Sequence, residues 1–471
     1  MSKFKTLLNL ARLGTRVVAD SRQVQKGDIF VALPGTKVHG DNFIRQATNR
    51  GASYIVSENR ELVKTLGARG CFHPNPRLAL GELAKNFYFP EGQHIKLVGI
   101  TGTNGKTTVC FLLEQLLKKA GFKVGLIGTI YIKWMEQKID ATMTTPDCLT
   151  LYHLLAQMQK KGVEVVVMEV SSHALDQDRI ADLQFEVGIF TNLTQDHLDY
   201  HKNMEHYFLA KQKLFTHYSK SAIINGDCAW GKQLISSLRN KPIITYGFEN
   251  KNQLQIIQYK LTLKGFRANI LVDGEELEIC SNLPGRYNLL NLLASIGGGK
   301  SLGLTKADFK LLEQCAPPPG RMELVPNKQG LSIIIDYAHT PDALANVCQA
   351  LAELKQGKLV VVFGCGGNRD KQKRPLMARE VAKYADLAIV TTDNPRFEEP
   401  ESIIADILPG FPPGFNYNVV VDRKKAILQA LQLIKKGDVL LIAGKGHENY
   451  QEIQGKKIFF SDKKIVEEAL C

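Results

Sequence analysis

Thr101-Gly102-Thr103-Asn104-Gly105-Lys106-Thr107-Thr108 follows the apolar run Leu97-Val98-Gly99-Ile100 and precedes a segment with Phe111, Leu112, Leu113, Leu116 and Leu117 at helical spacing. A strand, a glycine-rich turn and a helix in that order make a phosphate-binding loop. Backbone N–H groups of such a turn point inward at the helix N-terminus and hold anionic oxygens. Gly102 and Gly105 permit backbone conformations that a Cβ would obstruct. Lys106 is placed for β- and γ-phosphates, and the Thr107 hydroxyl for Mg²⁺. Ile100 stands where G-x-x-x-x-G-K-[ST] has its first glycine, so the loop is a variant form.

Other reactive groups fall at the ends of apolar runs. Glu169 closes Val165-Val166-Val167-Met168 and precedes Ser171-Ser172-His173; Thr191-Asn192 precedes Asp196-His197-Leu198-Asp199-Tyr200-His201. Continuous apolar runs suit a parallel sheet covered on both faces, and ligands gather beyond the carboxyl ends of such strands. Thr107, Glu169 and His197 are therefore expected to converge on Mg²⁺, although imidazole is a less usual ligand for that ion. Asp393-Asn394-Pro395-Arg396 puts a carboxylate, a carboxamide and a guanidinium at one strand end, a set that suits the ammonium and carboxylate of an amino acid. Gly444-Lys445-Gly446-His447-Glu448 adds a second cluster at another. Arg321 follows a proline-rich join. It either reaches the phosphates when domains close or forms a structural ion pair. By spacing alone Lys211 is a solvated helix charge, and Asp20-Ser21-Arg22 at a strand end either binds a ligand or, more often for such a set, is a turn closed by a salt bridge.

These groups need elements to position them. The chain's 471 residues suggest about three domains. Residues 1–90 read as a small α/β unit, with a strand ending at Pro34-Gly35, a helix through Phe43, Ile44 and Ala47, and a strand over 51–56. Residues 91–316 read as a P-loop-type parallel sheet with strands at 124–130, 163–170 and 187–191, hairpins over 255–279 turning at Asp273-Gly274, and a helix through Leu292 and Ile296. Pro317-Pro318-Pro319 stops a helix and stiffens the join. Residues 317–471 read as a Rossmann-like α/β unit with strands at 331–336, 359–363, 387–391, 419–421 and 439–443. Gly364-Cys365-Gly366-Gly367 lacks the full dinucleotide fingerprint, so a nicotinamide cofactor is a poor reading.

Composition narrows the class further. Hydrophobic residues make up 44% and charged residues 23%, as in an ordinary globular protein. No apolar run reaches the length of a membrane span. Met1-Ser2-Lys3-Phe4-Lys5 starts basic, but the apolar stretch after it is too short for a leader, so a cytoplasmic protein is expected. Nine cysteines without C-x-x-C spacing, Cys471 among them, point to reduced structural thiols. The net charge of +13 is spread without basic tracts, which suits small anionic ligands better than nucleic acid.

The phosphate loop, Met168-Glu169-Val170-Ser171-Ser172-His173, Asn192-Leu193-Thr194-Gln195-Asp196-His197-Leu198-Asp199-Tyr200-His201, Gly320-Arg321-Met322-Glu323 and Asp336-Tyr337-Ala338-His339-Thr340-Pro341 occur in the order found in the Mur ligases. The chain resembles that family over nearly its whole length. The resemblance implies a three-domain, ATP-dependent, Mg²⁺-requiring ligase of cytoplasmic peptidoglycan synthesis, a monomer without membrane insertion. Asp393-Asn394-Pro395-Arg396 resembles the signature of members that add meso-2,6-diaminopimelate to the D-glutamyl γ-carboxylate of UDP-N-acetylmuramoyl-L-alanyl-D-glutamate; lysine-adding members differ there.

By this resemblance, Gly102 to Thr108, Asn288, Arg321 and Asp336 contact ATP. Ser21, His39, Thr144, Thr145, Ser171, Gln177 and Arg179 hold the UDP-sugar. Arg369, Asp393, Asn394, Pro395, Arg396, Gly444 and Glu448 hold diaminopimelate. Lys211 becomes a carbamate that joins Thr107, Glu169 and His197 around metal, and Lys106, Lys211, His197 and Arg321 act in catalysis. Met143, before Thr144-Thr145, departs from the asparagine frequent in the family. A folylpolyglutamate synthase-like ligase is the rival enzyme, and a nucleotide switch the rival without chemistry.

Overall fold

The computed structural model describes residues 3–35 and 38–470, so Met1, Ser2 and Cys471 lie outside the described residues. Four parallel strands, Val17–Val18, Ile29–Val31, Tyr54–Ser57 and Gly70–Phe72, form the first sheet in chain order. Strand side chains alternate between its faces. Ile29, Val31 and Val56 share a core with Leu7, Ala79 and Leu83 of the helices Lys3–Arg12 and Pro76–Tyr88. Phe30 and Ile55 pack with Ile44 and Ala47 on the other face. The second helix starts where Asn75 Oδ1 accepts from the Arg77 and Leu78 N–H groups, with Pro76 at a position that needs no donor.

The second sheet has eleven strands. Its parallel centre holds Val124–Ile127, Val165–Glu169, Lys96–Thr101, Phe185–Phe190, Ser219–Asn225 and Ile243–Gly247 side by side. Helix Lys106–Lys119 lies on one face against helix Arg286–Ser301, with Leu112, Leu113, Leu292 and Ile296 fully buried. One edge carries the expected hairpin: Val272 pairs with Glu275 across Asp273-Gly274, both with positive φ. The other edge carries a hairpin the sequence did not suggest. The strand expected over 124–130 ends at Ile127, and Tyr131–Trp134 turns back onto Gln137–Asp140.

Six strands form the third sheet, in the order Glu323–Leu324, Ser332–Asp336, Val439–Ala443, Leu359–Phe363, Leu387–Val390, Tyr417–Val419. All neighbours are parallel except the first pair. The proline join is tied to the phosphate-loop helix, since the Ala316 N–H donates to Gln115 Oε1 and Gln115 Nε2 donates to Ala316 O. Gly364 to Gly367 belong to this sheet's backbone crowding: a Cβ on Gly364 would lie 2.1 Å from Thr391 O. Gly367 O accepts from Arg396 Nη1 at 2.8 Å, so the segment serves the arginine. Among the described residues no helix is long and apolar enough to cross a membrane, and the cysteines are free thiols.

Candidate active site

A cleft of about 910 Å³ opens between the carboxyl ends of the second and third sheets. Thr103 to Thr108 line it from one side, and Arg321, Arg369, Asp393, Asn394, Arg396, Gly444 and Glu448 from the other. Gly105 has φ +88°, a left-handed conformation that opens the helix Lys106–Lys119. Lys106 Nζ donates to Gly102 O at 2.8 Å and Thr103 O at 2.7 Å. Desolvation lowers its pKa. Asn192, quoted only as part of a motif, braces the loop: its Oδ1 accepts from the Asn104 N–H and its Nδ2 donates to Asn104 O.

Thr107 Oγ1 donates to Glu169 Oε1 at 3.0 Å, and both groups are buried. Thr129, which the sequence did not single out, donates its N–H and hydroxyl to the same carboxylate. His197 stands at the same cleft. Its Nε2 lies 3.4 Å from Asp196 Oδ2, and its ring meets His173 edge-on. It lines the cleft together with Thr107, Glu169 and Lys211. The buried Thr107–Glu169 pair remains a fitting oxygen donor set for Mg²⁺, an ion that usually takes one or two protein oxygens with phosphates and water.

Lys211 overturns its surface reading. It is 1% exposed, its Nζ donates to Gly102 O at 2.8 Å, and it sits 4.5 Å above the Tyr207 ring. Burial pushes its pKa far down. Among the described residues Arg321 makes no ion pair. Its guanidinium stacks on Tyr337, and Nη2 lies 3.4 Å from Thr107 Oγ1 across the interface. Asp342 makes a second bridge, accepting from Asn104 Nδ2 and Thr194 Oγ1.

Asn288 and Asp336 stand behind the cleft. Asn288 Oδ1 accepts from Asn291 Nδ2, and a Cβ on Gly105 would lie 2.4 Å from Asn291 Oδ1. Asp336 is buried and accepts the Met322 and Ala338 N–H groups, both at 2.7 Å. It anchors the backbone beside Arg321.

Thr144, Thr145, Ser171 and Arg179 line the cleft, while Ser21, His39 and Gln177 do not. Thr145 Oγ1 donates to Glu169 O and accepts from the Ser171 N–H. Arg179 reaches Thr145 O and, through Nε and Nη2, Gln177 Oε1. Met143 lies against Arg179. Ser21 donates to Gln46 Oε1, and His39 bridges Glu58 and Asp41. The Asp20–Arg22 salt bridge forms as read from the sequence.

At the third sheet, a Cβ on Gly444 would lie 2.4 Å from Asp393 Oδ2, so glycine leaves room for that carboxylate. Arg396 has φ +54°; its Nε pairs with Glu452 Oε2 at 3.0 Å. Asn394 Nδ2 donates to Glu448 Oε2 at 2.9 Å. Pro395 sets the turn between Asn394 and Arg396, and Arg369 is an exposed cation at the rim.

His339 and His447 flank Tyr337, and burial depresses each imidazole to about 4. An imidazole lowered from about 6.5 on folding is neutral in the native state and charged in the unfolded chain below pH 6.5. Its contribution to stability is complete above that pH and is lost as pH falls toward 4. His339→Gln is expected to remove at most about 2 kcal/mol of the stability lost between pH 7 and 5, read as a flatter dependence of the urea midpoint on pH.

The three sheets, the variant loop and the cleft between the second and third sheets define an α/β protein of the phosphate-loop class. Three family descriptions match consecutive stretches: "Mur ligase family, catalytic domain" over residues 15–88, "Mur ligase middle domain" over 100–298, and "Mur ligase, glutamate ligase domain" over 320–446. The chain belongs to the Mur ligase family. It is 46% identical over 462 residues to a UDP-N-acetylmuramoyl-L-alanyl-D-glutamate–2,6-diaminopimelate ligase of Lawsonia intracellularis, covering 96% of this chain and 95% of the relative. A ligase of the same name from Aquifex aeolicus is 45% identical over 455 residues, covering 96% and 93%. A solved structure of that name matches with a TM-score of 0.72 at 33% identity, covering 97% of this chain and 94% of the other.

Proposed function

We propose that this chain joins meso-2,6-diaminopimelate to the D-glutamyl γ-carboxylate of UDP-N-acetylmuramoyl-L-alanyl-D-glutamate, converting ATP to ADP and phosphate in cytoplasmic peptidoglycan synthesis. One observation carries the reading: a single cleft is lined both by the phosphate loop and by the Asp393 to Arg396 cluster of a chain with full-length relatives of that name. A folylpolyglutamate-type ligase does not account for those relatives, and a nucleotide switch has no use for the charged cluster.

The reaction follows from the chemistry of a carboxylate, which is a poor electrophile. A γ-carboxylate oxygen attacks the γ-phosphorus of ATP, ADP leaves, and an acyl phosphate forms. An amine of diaminopimelate then attacks the acyl carbon, the tetrahedral adduct collapses, and phosphate leaves with the former carboxylate oxygen. Lys106 and the loop N–H groups hold the phosphates, and Arg321 adds charge from the third domain. Thr107 and Glu169 would hold Mg²⁺, which supplies charge stabilisation when bound. His197 lies beside them in the cleft. Lys211, buried with a neutral amine favoured, suits addition to carbon dioxide, and the resulting carbamate offers further oxygen donors. Asp393 and Glu448 orient the substrate's ammonium, and Arg369 and Arg396 its second carboxylate.

The UDP-sugar is assigned to Ser21, His39, Thr144, Thr145, Ser171, Gln177 and Arg179. Boundaries near residues 90 and 316 fall between the sheets. The protein works as a monomer.

An amino-acid panel with the purified chain, ATP, Mg²⁺ and the UDP-muramoyl dipeptide tests the reading. The diaminopimelate adduct is expected by mass spectrometry, with L-lysine used at least tenfold less well, since it lacks the carboxylate that Arg396 would bind. Equal use of lysine would overturn the specificity.

A further inference from the structure

The structure assigns Lys445 a positioning role in the amino-acid site: its ammonium fixes the Asn394 amide and one oxygen of Glu448, which leaves the other Glu448 oxygen and the Asp393 carboxylate to receive the substrate's ammonium. This rests on the ligase reading and deepens it.

The geometry begins with the turn after strand Val439–Ala443. Gly444 and Gly446 have φ of +111° and +52°, and between them the chain directs Lys445 inward, where its side chain is fully buried. Nζ donates to Asn394 Oδ1 at 3.0 Å and to Glu448 Oε2 at 3.1 Å, and the Tyr450 ring centre lies 5.5 Å away. A buried ammonium is tolerated only when paired in this way.

The pairing decides the orientation of Asn394. Its Oδ1 faces two groups that only donate, Lys445 Nζ and the Glu452 N–H at 3.0 Å. Its Nδ2 faces an acceptor, Glu448 Oε2. Turning the amide over would set donor against donor at one end and acceptor against acceptor at the other. Glu448 Oε2 accepts from both Lys445 and Asn394, so Oε1 is the carboxylate oxygen left for a ligand. Asp393 lines the same cleft and is kept clear by Gly444. Lys445 thus acts through Glu448 and Asn394, and it balances a carboxylate that would otherwise add to the charge of Asp393 and Glu452.

The test is steady-state kinetics of Lys445→Met with each substrate varied in turn. The expected result is a rise of about 10- to 100-fold in KM for diaminopimelate, the scale of a lost charge-assisted hydrogen bond. KM for ATP and kcat at saturating diaminopimelate should stay within about threefold. A general structural defect would move all three parameters together. Lys445→Gln keeps one donor for Asn394 without the charge and should fall between the two; if Lys445→Met does not fold, the same split in Lys445→Gln decides. Unchanged KM for diaminopimelate, or a parallel rise in KM for ATP, overturns the assignment. A wild-type chain that does not use diaminopimelate overturns the ligase reading instead, so the two failures are distinct.

Discussion

Lys106→Ala is expected to lower kcat/KM for ligation by about 10²- to 10⁴-fold, the loss usual when a preorganised charge is removed from a transferring phosphoryl group. In the structure Lys106 Nζ rests on the Gly102 and Thr103 carbonyls, inside the loop that would hold the phosphates. No neighbour stands ready to replace it: Lys211 is held by Gly102 O, and Arg321 approaches from the other domain. Titration calorimetry with the UDP-muramoyl dipeptide alone should show wild-type affinity, because Lys106 bonds to the Gly102 and Thr103 carbonyls and neither residue is assigned to that ligand. Full activity in the variant would remove the loop from the mechanism.

The second large effect is expected at Lys211. Lys211→Ala should lose at least about 100-fold in kcat, and added bicarbonate should not restore it, because no amine remains to carry a carboxylate. Lys211→Arg should fail equally, since a guanidinium keeps its proton and does not add to carbon dioxide. Arginine would preserve a simple cation at this position, so activity in Lys211→Arg would show that charge alone is required. Full activity in Lys211→Ala would exclude the carbamate.

The difference between Lys211 and Lys106 shows what a sequence reveals. Lys106 was legible because its setting is local: strand, glycine turn and helix lie within two dozen residues. The Asp273-Gly274 hairpin was legible for the same reason, as its turn residues favour positive φ. The hairpin across Met135-Glu136 was not, because Met135 takes φ +49° without any residue type that signals it. Lys211 looked like a surface charge because the residue it meets, Gly102, is 109 positions away.

The amino-acid site divides in the same manner. Asp393, Asn394 and Arg396 are adjacent and announce a charged strand end. Lys445 is 51 positions from Asn394, and its pairing appears only once the two strand ends lie together. The Asp342 bridge to Asn104 spans 238 positions and two sheets. Strand ends place Thr107, Glu169 and His197 in one cleft, and that much was legible; the backbone that sets His197, at φ +54°, beside Asp196 was not.

The central claim is that ATP activates the substrate's carboxylate. The dipeptide substrate labelled with ¹⁸O in both oxygens of the D-glutamyl γ-carboxylate tests it most directly, with the released phosphate analysed by mass spectrometry after one round of ligation. An acyl phosphate intermediate predicts one ¹⁸O atom in each phosphate and one retained in the new amide. Unlabelled phosphate accompanying amide formation would contradict the account.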